Sequence, residues 1–225
     1  MSRPRAVVAI DGPAGAGKST VARESARRLG FMLVDTGALY RGIARLAADR
    51  GIDWGDGPAL GTMAEGAELS FGADSEGVPL LHIDGVDRSG EIRTPEMSMG
   101  ASDVSKHPEV RAALLGLQRK LGAEGGVVLE GRDIGTVVFP DAEVKIFLTA
   151  SARVRAQRRV TDLHARGMEA DLEATLAEVE ARDLQDSTRA IAPLKPAEDA
   201  ITLDTTDLGI EAVVEAILEL VRGAS

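Results

Sequence analysis

The sequence predicts an α/β protein built on a five-stranded parallel sheet that is flanked by helices. Five short apolar runs have the length and composition of buried strands, at residues 6–10, 31–35, 126–130, 144–149 and 200–204. Helical stretches separate most of these runs, and a glycine-rich corner joins the first run to the first helix. Strands that alternate with helices in this way form parallel sheets with right-handed crossovers.

The segments between the strands predict six helices. They cover residues 18–29, 38–50, 108–121, 151–166, 172–184 and 210–221. The alternation fails between the second and third strands, where residues 67–94 read as short apolar runs punctuated by Gly, Asp and Pro, which is typical of an antiparallel meander. We therefore expect a single domain over residues 1–225, with a small β-meander lobe inserted at about 37–107.

Composition and charge limit the possible partners. The chain has 225 residues, 44% hydrophobic and 28% charged, as in ordinary soluble globular proteins. With 26 basic and 36 acidic residues its net charge is −10, so we expect neither nucleic acid nor an anionic membrane as a partner. The absence of cysteine excludes disulfides, thiolate nucleophiles and Cys-ligated zinc, and the three histidines show no metal-ligand spacing.

Two further expectations concern location and assembly. No apolar run approaches the roughly 20 residues that span a bilayer, and the N-terminus lacks the apolar core of a signal peptide. We expect a cytoplasmic protein. We also expect a monomer, because no long heptad seam or extended apolar stripe is visible.

The corner after the first strand reads GPAGAGKST, residues 12–20. Gly12, Gly15 and Gly17 permit backbone conformations in which successive N–H groups converge on one anion. In the pattern G-x-x-x-x-G-K-S at a helix N-terminus, the loop holds nucleotide phosphates, Lys18 reaches the β and γ oxygens, and Ser19 coordinates Mg²⁺. A glycine-rich turn with a chance lysine is the alternative. The remaining residues of the expected ATP site are Pro13, Ala14, Ala16 and Thr20.

The residues after the third strand favour a kinase among the proteins that have such a loop. No guanine-reading N-K-x-D tetrapeptide occurs, which disfavours a GTPase. Glu130 ends the strand and is followed by Arg132 and Asp133, and ligands bind beyond this edge of a parallel sheet. Guanidinium groups bind phosphate oxygens in bidentate fashion, and a phosphate acceptor needs no strong base because it is already mostly ionised. The pattern therefore suits a second substrate that bears a phosphate.

Six segments in this order resemble the bacterial cytidylate kinases over essentially the whole chain. They are IDGPAGAGKST, DTGALYRGIA, SGEIRTPE, EGRDIGTVVFPDA, KIFLTAS and RDLQDSTRAIAPL. The resemblance implies a P-loop nucleoside monophosphate kinase fold. It also implies transfer of the γ-phosphate of ATP to CMP or dCMP, giving CDP or dCDP and ADP, in pyrimidine nucleotide metabolism.

The resemblance also implies roles for individual residues. The acceptor nucleotide would be held by Thr36, Tyr40, Arg41, Ser102, Arg111, Arg132, Asp133, Asp186 and Arg189. Among these, Arg132 resembles the clamp on the acceptor phosphate, and Ser102 and Asp133 resemble the groups that read the cytosine amino group. Thr36 stands where many members have Ser, and Glu130 stands where many have Asp.

An arginine-rich lid is expected at about 151–188, since an open site would let water take the phosphoryl group. Arg158 and Arg182 are its candidates for the ATP phosphates, and with Lys18, Arg132 and Arg189 they make up the expected catalytic set. The residues leave simpler interpretations open: Asp133 could pair structurally with Arg132, Tyr40 could be plain core, and Arg111, Arg158 and Arg182 could lie on solvated helix faces. A kinase of UMP, AMP or shikimate, and an ATP-binding module without turnover, are the alternative functions.

Overall fold

The computed structural model describes residues 5–74 and 79–224. The chain divides into two compact units, which we call the sheet unit (Met1–Met32 and Gly125–Ser225) and the inserted unit (Leu33–Glu124). The expectation that the whole chain acts as one domain with a lobe at about 37–107 stays a prediction.

The described residues form helices and strands in the following chain order: β1 Val7–Asp11, α1 Lys18–Leu29, β2 Met32–Asp35, α2 Thr36–Arg50, α3 Gly57–Gly66, β3 Leu69–Ala73, β4 Pro79–Ile83, β5 Val86–Asp87, α4 Pro95–Val104, α5 Pro108–Gly122, β6 Val127–Gly131, β7 Val144–Thr149, α6 Ala152–Ala165, α7 Leu172–Thr188, β8 Ile201–Asp204 and α8 Ile210–Ala224. A single π-helical turn, Ile134–Val138, follows β6.

The five-stranded parallel sheet is confirmed, in the order β2-β6-β1-β7-β8. Strand β1 is central and wholly buried, as its continuous apolar sequence predicts. It pairs in parallel with β6, where Asp11 lies opposite Gly131. Strands β1 and β6 begin and end one residue later than predicted. For β6 the reason is Gly126, whose φ of +65° is incompatible with a strand.

Helices of the sheet unit follow the predicted boundaries closely. Helix α1 has both predicted ends, and it packs against α8, where Arg28 forms ion pairs with Glu211 and Glu215. Helices α6 and α7 pack against each other across the predicted lid region. Helix α7 continues to Thr188, beyond the predicted end at residue 184, and the hydroxyls of its last residues bond back to carbonyls one turn earlier.

The inserted unit contains the predicted antiparallel meander, with strand order β3-β4-β5. Residues 75–78 of the predicted meander lie outside the described residues. Helices α3 and α4 were not predicted, although each has a readable start: Asp56 and Thr94 accept N–H bonds of the first turn, and a proline follows each. Helix α2 begins at Thr36, before the predicted residue 38, because Asp35 caps it.

The core of the inserted unit is a cluster of aliphatic side chains from its helices and meander. Its fully buried members include Leu39, Ile43, Leu60, Leu81 and Leu114. The strongest helix contacts in this unit are those of α2 with α4 and of α3 with α5. In the part of the chain that the structure describes, no helix is both long enough and apolar enough to cross a membrane.

Candidate functional site

The loop between β1 and α1 lies tightly against β7. Gly12 has a φ of +148°, and a Cβ at this position would lie 2.0 Å from the carbonyl oxygen of Leu148. Only glycine permits this approach. Helix α1 begins directly after the loop, with the left-handed Gly17 at its N-cap and no side chain capping it. The loop thus brings a helix N-terminus to the carboxyl end of the central strand.

Three carbonyl groups of the loop accept hydrogen bonds from side chains. The Lys18 Nζ donates to Pro13 at 2.7 Å, Arg155 Nη1 donates to Ala14 at 3.2 Å, and the Thr205 hydroxyl donates to Ala16 at 3.3 Å. These donors come from α1, from α6 and from the residue after β8. The loop conformation is therefore held from several elements of the sheet unit, which keeps it preorganised for an anion.

The loop ends in a buried lysine whose neighbours include both basic and acidic side chains. Lys18 is only 6% exposed. Burial lowers the pKa of Lys18 well below its usual value, and the nearby cations Arg132 and Arg182 lower it further, while Glu130 and Asp11 act in the opposite direction. The Lys18 amine thus lies near enough to two arginines to be affected by their charge, and an anionic ligand beside it would favour its charged form.

Ser19 and Glu130 supply oxygen atoms beside Lys18. The Ser19 hydroxyl donates to Glu130 Oε2 at 2.9 Å, and Glu130 is buried at the carboxyl end of β6. Within residues 5–74 and 79–224 no group of three His, Cys, Asp or Glu side chains is placed to hold a metal. Mg²⁺ bound with a nucleotide needs only one or two protein ligands, because phosphate oxygens and water supply the others. The Ser19 and Glu130 oxygens fit that requirement.

Two charged pairs join the residues after β6 to the end of α7. Arg132 Nε donates to Asp186 Oδ2 at 3.0 Å, and Arg132 Nη1 donates to the carbonyl of Gly131 at 3.2 Å. Arg189 Nη2 lies 3.8 Å from Asp133 Oδ1. The side chains of Asp133, Asp186 and Arg189 are almost fully buried. Four residues singled out in the sequence are thereby brought together in the sheet unit.

The two candidate lid arginines differ in their surroundings. Arg158 donates to the hydroxyl of Thr205 at 3.0 Å and to its carbonyl at 2.7 Å, beside the loop residue Gly17. Arg182, on α7, lies close enough to Lys18 for its charge to lower the pKa of that amine. Their expected contact with ATP phosphates stays a prediction for both.

Five of the predicted acceptor residues lie in the inserted unit. Thr36 is buried as the first residue of α2, and Arg41 Nη2 donates to the capping residue Asp35 at 2.7 Å. Arg111 lies over the ring of Tyr40, 5.7 Å from its centroid, and donates to the carbonyl of Ser105 at 3.3 Å. The neighbouring Ser102 accepts the Ser105 hydroxyl through its carbonyl.

Two buried charged residues beside the glycine-rich loop were not predicted from the sequence. Arg155 makes a bidentate pair with Asp183, at 3.0 and 2.6 Å, in addition to its bond to the loop. Nothing in the arginine-rich sequence of α6 distinguishes it from its neighbours. Asp11 accepts two backbone N–H bonds from Ile134 and Gly135, and its signal was readable: a carboxylate that ends an otherwise apolar strand.

Over nearly its whole length the chain is similar to proteins of one family. The family model for cytidylate kinase matches residues 8–223. A cytidylate kinase of Syntrophotalea carbinolica is 50% identical over 215 residues, which is 96% of this chain and 91% of the relative. A cytidylate kinase of Geobacter sp. (strain M21) is 51% identical over 216 residues, with 96% and 92% covered.

A likeness to a solved structure supports the fold alone. An uncharacterized protein from Eubacterium ventriosum aligns with a TM-score of 0.52 at 12% identity, over 97% of this chain and 99% of the other. The family model matches nearly all of the sequence, and two relatives are about half identical to it, which is evidence of family membership and not of the fold alone. These matches, together with the glycine-rich loop described above, establish that the chain belongs to the cytidylate kinase family.

Proposed function

We propose that the protein transfers the γ-phosphoryl group of ATP to CMP or dCMP, giving ADP and CDP or dCDP. Its membership in the cytidylate kinase family supports this activity. The structural observation that supports it most directly is a group of basic side chains at the glycine-rich loop before α1: the buried Lys18, with Arg132 and Arg182 near enough to act on its charge. Several negative phosphate charges must gather for this reaction, and such a cluster offsets their mutual repulsion.

The donor site consists of residues 12–20. Backbone N–H groups of the loop and the N-terminus of α1 bind the phosphates of ATP, and Lys18 contacts the β and γ oxygens. Ser19, with Glu130 beside it, would hold the Mg²⁺ that accompanies the nucleotide. When bound, this ion neutralises charge on the β- and γ-phosphates.

The acceptor site of the sheet unit consists of Arg132, Asp133, Asp186 and Arg189. The two guanidinium groups bind the phosphate of CMP, and Asp186 binds the ribose. Asp133 accepts a hydrogen bond from the amino group of cytosine and repels the carbonyl that uracil has at the same place. A buried mismatch of this kind costs about 1–3 kcal/mol, so the carboxylate selects cytosine.

The inserted unit contributes the other acceptor residues. We assign to Ser102 and Arg111 contacts with the base, and to Thr36, Tyr40 and Arg41 the lining of the acceptor pocket. The cation–π contact of Arg111 with Tyr40 favours one orientation of the Arg111 guanidinium. A preoriented guanidinium loses less conformational entropy when it binds a ligand.

Catalysis in this scheme depends on position and charge and requires no general base. The acceptor phosphate has a second pKa near 6, so it is already mostly a dianion at neutral pH. Donor and acceptor have to approach in line to about 3 Å. Arg158 and Arg182, from the lid helices α6 and α7, would stabilise the transferring group and help to exclude water.

The remaining expectations concern partners and location. The substrates are small nucleotides, and the net charge of −10 disfavours nucleic acid and anionic membranes as partners. A cytoplasmic location and a monomeric state remain predictions from the sequence.

A coupled assay of ADP release tests the proposal. CMP, dCMP, UMP, AMP and shikimate are each offered as acceptor with Mg²⁺ and ATP. We expect turnover of CMP and dCMP well above that of the others. Asp133→Asn is the matched variant: it keeps the size of the side chain, and the ratio of CMP to UMP turnover should fall about tenfold or more. If the parent protein turned over UMP as well as CMP, the proposed selectivity for cytosine would be refuted. If it bound ATP but formed no ADP with any acceptor, the proposal that it is an enzyme would be refuted.

A further inference from the structure

Asp11 has no part in the proposed reaction, yet its carboxylate is buried at the edge of the site. It is the last residue of β1, directly before Gly12, and is 4% exposed. Its Oδ1 accepts the N–H of Ile134 and its Oδ2 accepts the N–H of Gly135, both at 2.8 Å. One carboxylate therefore holds the two consecutive backbone amides that come straight after Arg132 and Asp133.

These two amides open the π-helical turn Ile134–Val138. Asp133 stands at the N-cap position of this turn, where an aspartate would ordinarily accept such bonds, but its side chain makes no cap bond. Its carboxylate lies 3.8 Å from Arg189 instead. Asp11 thus provides, from a different strand, the cap that Asp133 does not provide.

The turn is also packed closely against Asp11. A Cβ on Gly135 would lie 3.5 Å from Asp11 Oδ2 and 3.3 Å from the Lys145 side chain. The backbone of the turn is therefore held between β1 and β7, with Asp11 on one side and Lys145 on the other. We therefore expect a change in the size or the hydrogen bonding of residue 11 to move this backbone and not only a side chain.

We propose that Asp11 is a positioning residue for the acceptor nucleotide: by fixing the amides of Ile134 and Gly135, it sets where Arg132 and Asp133 point. The roles of Arg132 and Asp133 in binding the acceptor nucleotide rest on the function proposed above. The alternative is that the buried acid merely supports β1 and the phosphate loop.

Burial and a neighbouring carboxylate make the Asp11 carboxylate costly to keep in its charged form. Burial raises the pKa of Asp11 to about 6, and Asp133 acts in the same direction, while the two N–H bonds and Lys18 lower it. The nearby Lys145 is engaged by both carboxylate oxygens of Asp199. A buried carboxylate is costly for stability, and its two amide bonds offset part of that cost.

The substitution Asp11→Asn tests the proposal, because asparagine has the size of aspartate but only one acceptor oxygen. One of the two backbone N–H groups, of Ile134 or Gly135, would then face the NH₂ group of the asparagine and lose its acceptor. We expect the KM for CMP to rise about tenfold, as for loss of a hydrogen bond to a charged group, and the preference for CMP over UMP to fall. Binding of an unreactive ATP analogue, measured by calorimetry, should weaken clearly less than binding of CMP, because Asp11 touches the donor site only through its charge effect on Lys18. Hydrogen exchange should accelerate at the amides of residues 134 and 135 and not at residues 12–20.

Glu143→Gln is the matched control. Glu143 Oε2 accepts the N–H of Val7 at 2.7 Å, at the opposite end of β1, and its substitution should leave both affinities unchanged. If Asp11→Asn does not fold, Asp11→Glu, which keeps the charge and displaces the carboxylate by one methylene, is measured in the same way.

Two outcomes would overturn the proposal: an equal loss of affinity for CMP and the ATP analogue, or a lower melting temperature with both affinities intact. A parent protein without CMP kinase activity would refute the proposed function. The hydrogen-exchange measurement would still decide whether Asp11 holds the turn.

Discussion

The sheet unit and the inserted unit bury different kinds of side chain. Among the described residues, all the charged side chains that are buried lie in the sheet unit: Asp11, Lys18, Glu130, Asp133, Lys145, Arg155, Asp186 and Arg189. The buried polar side chains of the inserted unit are uncharged: Thr36, Ser89, Ser105 and Gln118. Burying a charge is costly unless it is paired, so such clusters concentrate where they have a function.

Not every buried charge in the sheet unit belongs to the site. Lys145 donates to both carboxylate oxygens of Asp199, which explains its burial as a structural ion pair. Lys18 differs, because its amine donates to the carbonyl of the loop residue Pro13 and two arginines lie near enough to act on its charge. The comparison teaches that burial alone does not identify a functional charge, and that burial next to charges of the same sign favours a function over a structural ion pair.

Lys18→Met should have the largest effect and is the direct test of this distinction. We expect the rate of ADP formation from ATP and CMP to fall about 100- to 1,000-fold, since a group that stabilises phosphate charge is lost. The free energy of unfolding should not decrease, because a buried ammonium group is replaced by an apolar side chain of similar length. Steady-state kinetics and urea unfolding measure the two effects. A loss of activity that follows a loss of folded protein would contradict the comparison.

Leu60→Ala tests the opposite case in the inserted unit. Leu60 is fully buried in α3, which packs against α5. Its truncation should lower the free energy of unfolding by about 2–5 kcal/mol through lost burial and a cavity, with the KM for ATP unchanged. Leu60→Met, which conserves volume, is the control and should cost less than about 1.5 kcal/mol. An increase in the KM for ATP at unchanged stability would show that this core serves more than packing.

Arg155→Lys should have the smallest effect of the three. Lysine keeps the charge but cannot form the bidentate pair with Asp183 and also donate to Ala14 of the loop. We expect the KM for ATP to rise about tenfold while the KM for CMP stays the same. Arg153→Lys is the matched control on the same helix. Arg153 pairs with Glu173, but the two side chains are 65% and 67% exposed, so this ion pair contributes little to stability. If the two substitutions changed the KM for ATP equally, the proposed role of Arg155 in holding the loop would be contradicted.

Features that depend on local sequence were predicted well. The loop at residues 12–20, the start of α1 and the complete strand β7 follow from neighbouring residues, and the structure has them at the predicted places. Helices α3 and α4 were missed because their glycine-rich and methionine-rich sequences lack a clear apolar period, although Asp56 and Thr94 mark their starts. Cap residues were the better signal there.

Contacts between distant segments could not be read from local patterns. Arg132 and Asp186 are 54 positions apart, and only the packing of α7 beside the end of β6 brings them within 3.0 Å. The resemblance to a known family identified both residues but not that they contact each other. For Arg158 the sequence predicts a phosphate contact, and the structure adds a pair of bonds to Thr205, on a segment that the sequence reasoning had not considered.

By itself, the amino-acid sequence determined the parallel sheet and the glycine-rich loop, because strand alternation and loop conformation depend on residues close in the chain. The roles of the loop lysine and serine stay predictions of the sequence. Only the tertiary structure decided which charges are buried together and which carboxylate caps which turn. Asp11 reaches Ile134 across 123 positions of sequence, and no local periodicity encodes that distance. Burial and charge pairing are properties of the packed chain, and they decide the electrostatics of the site.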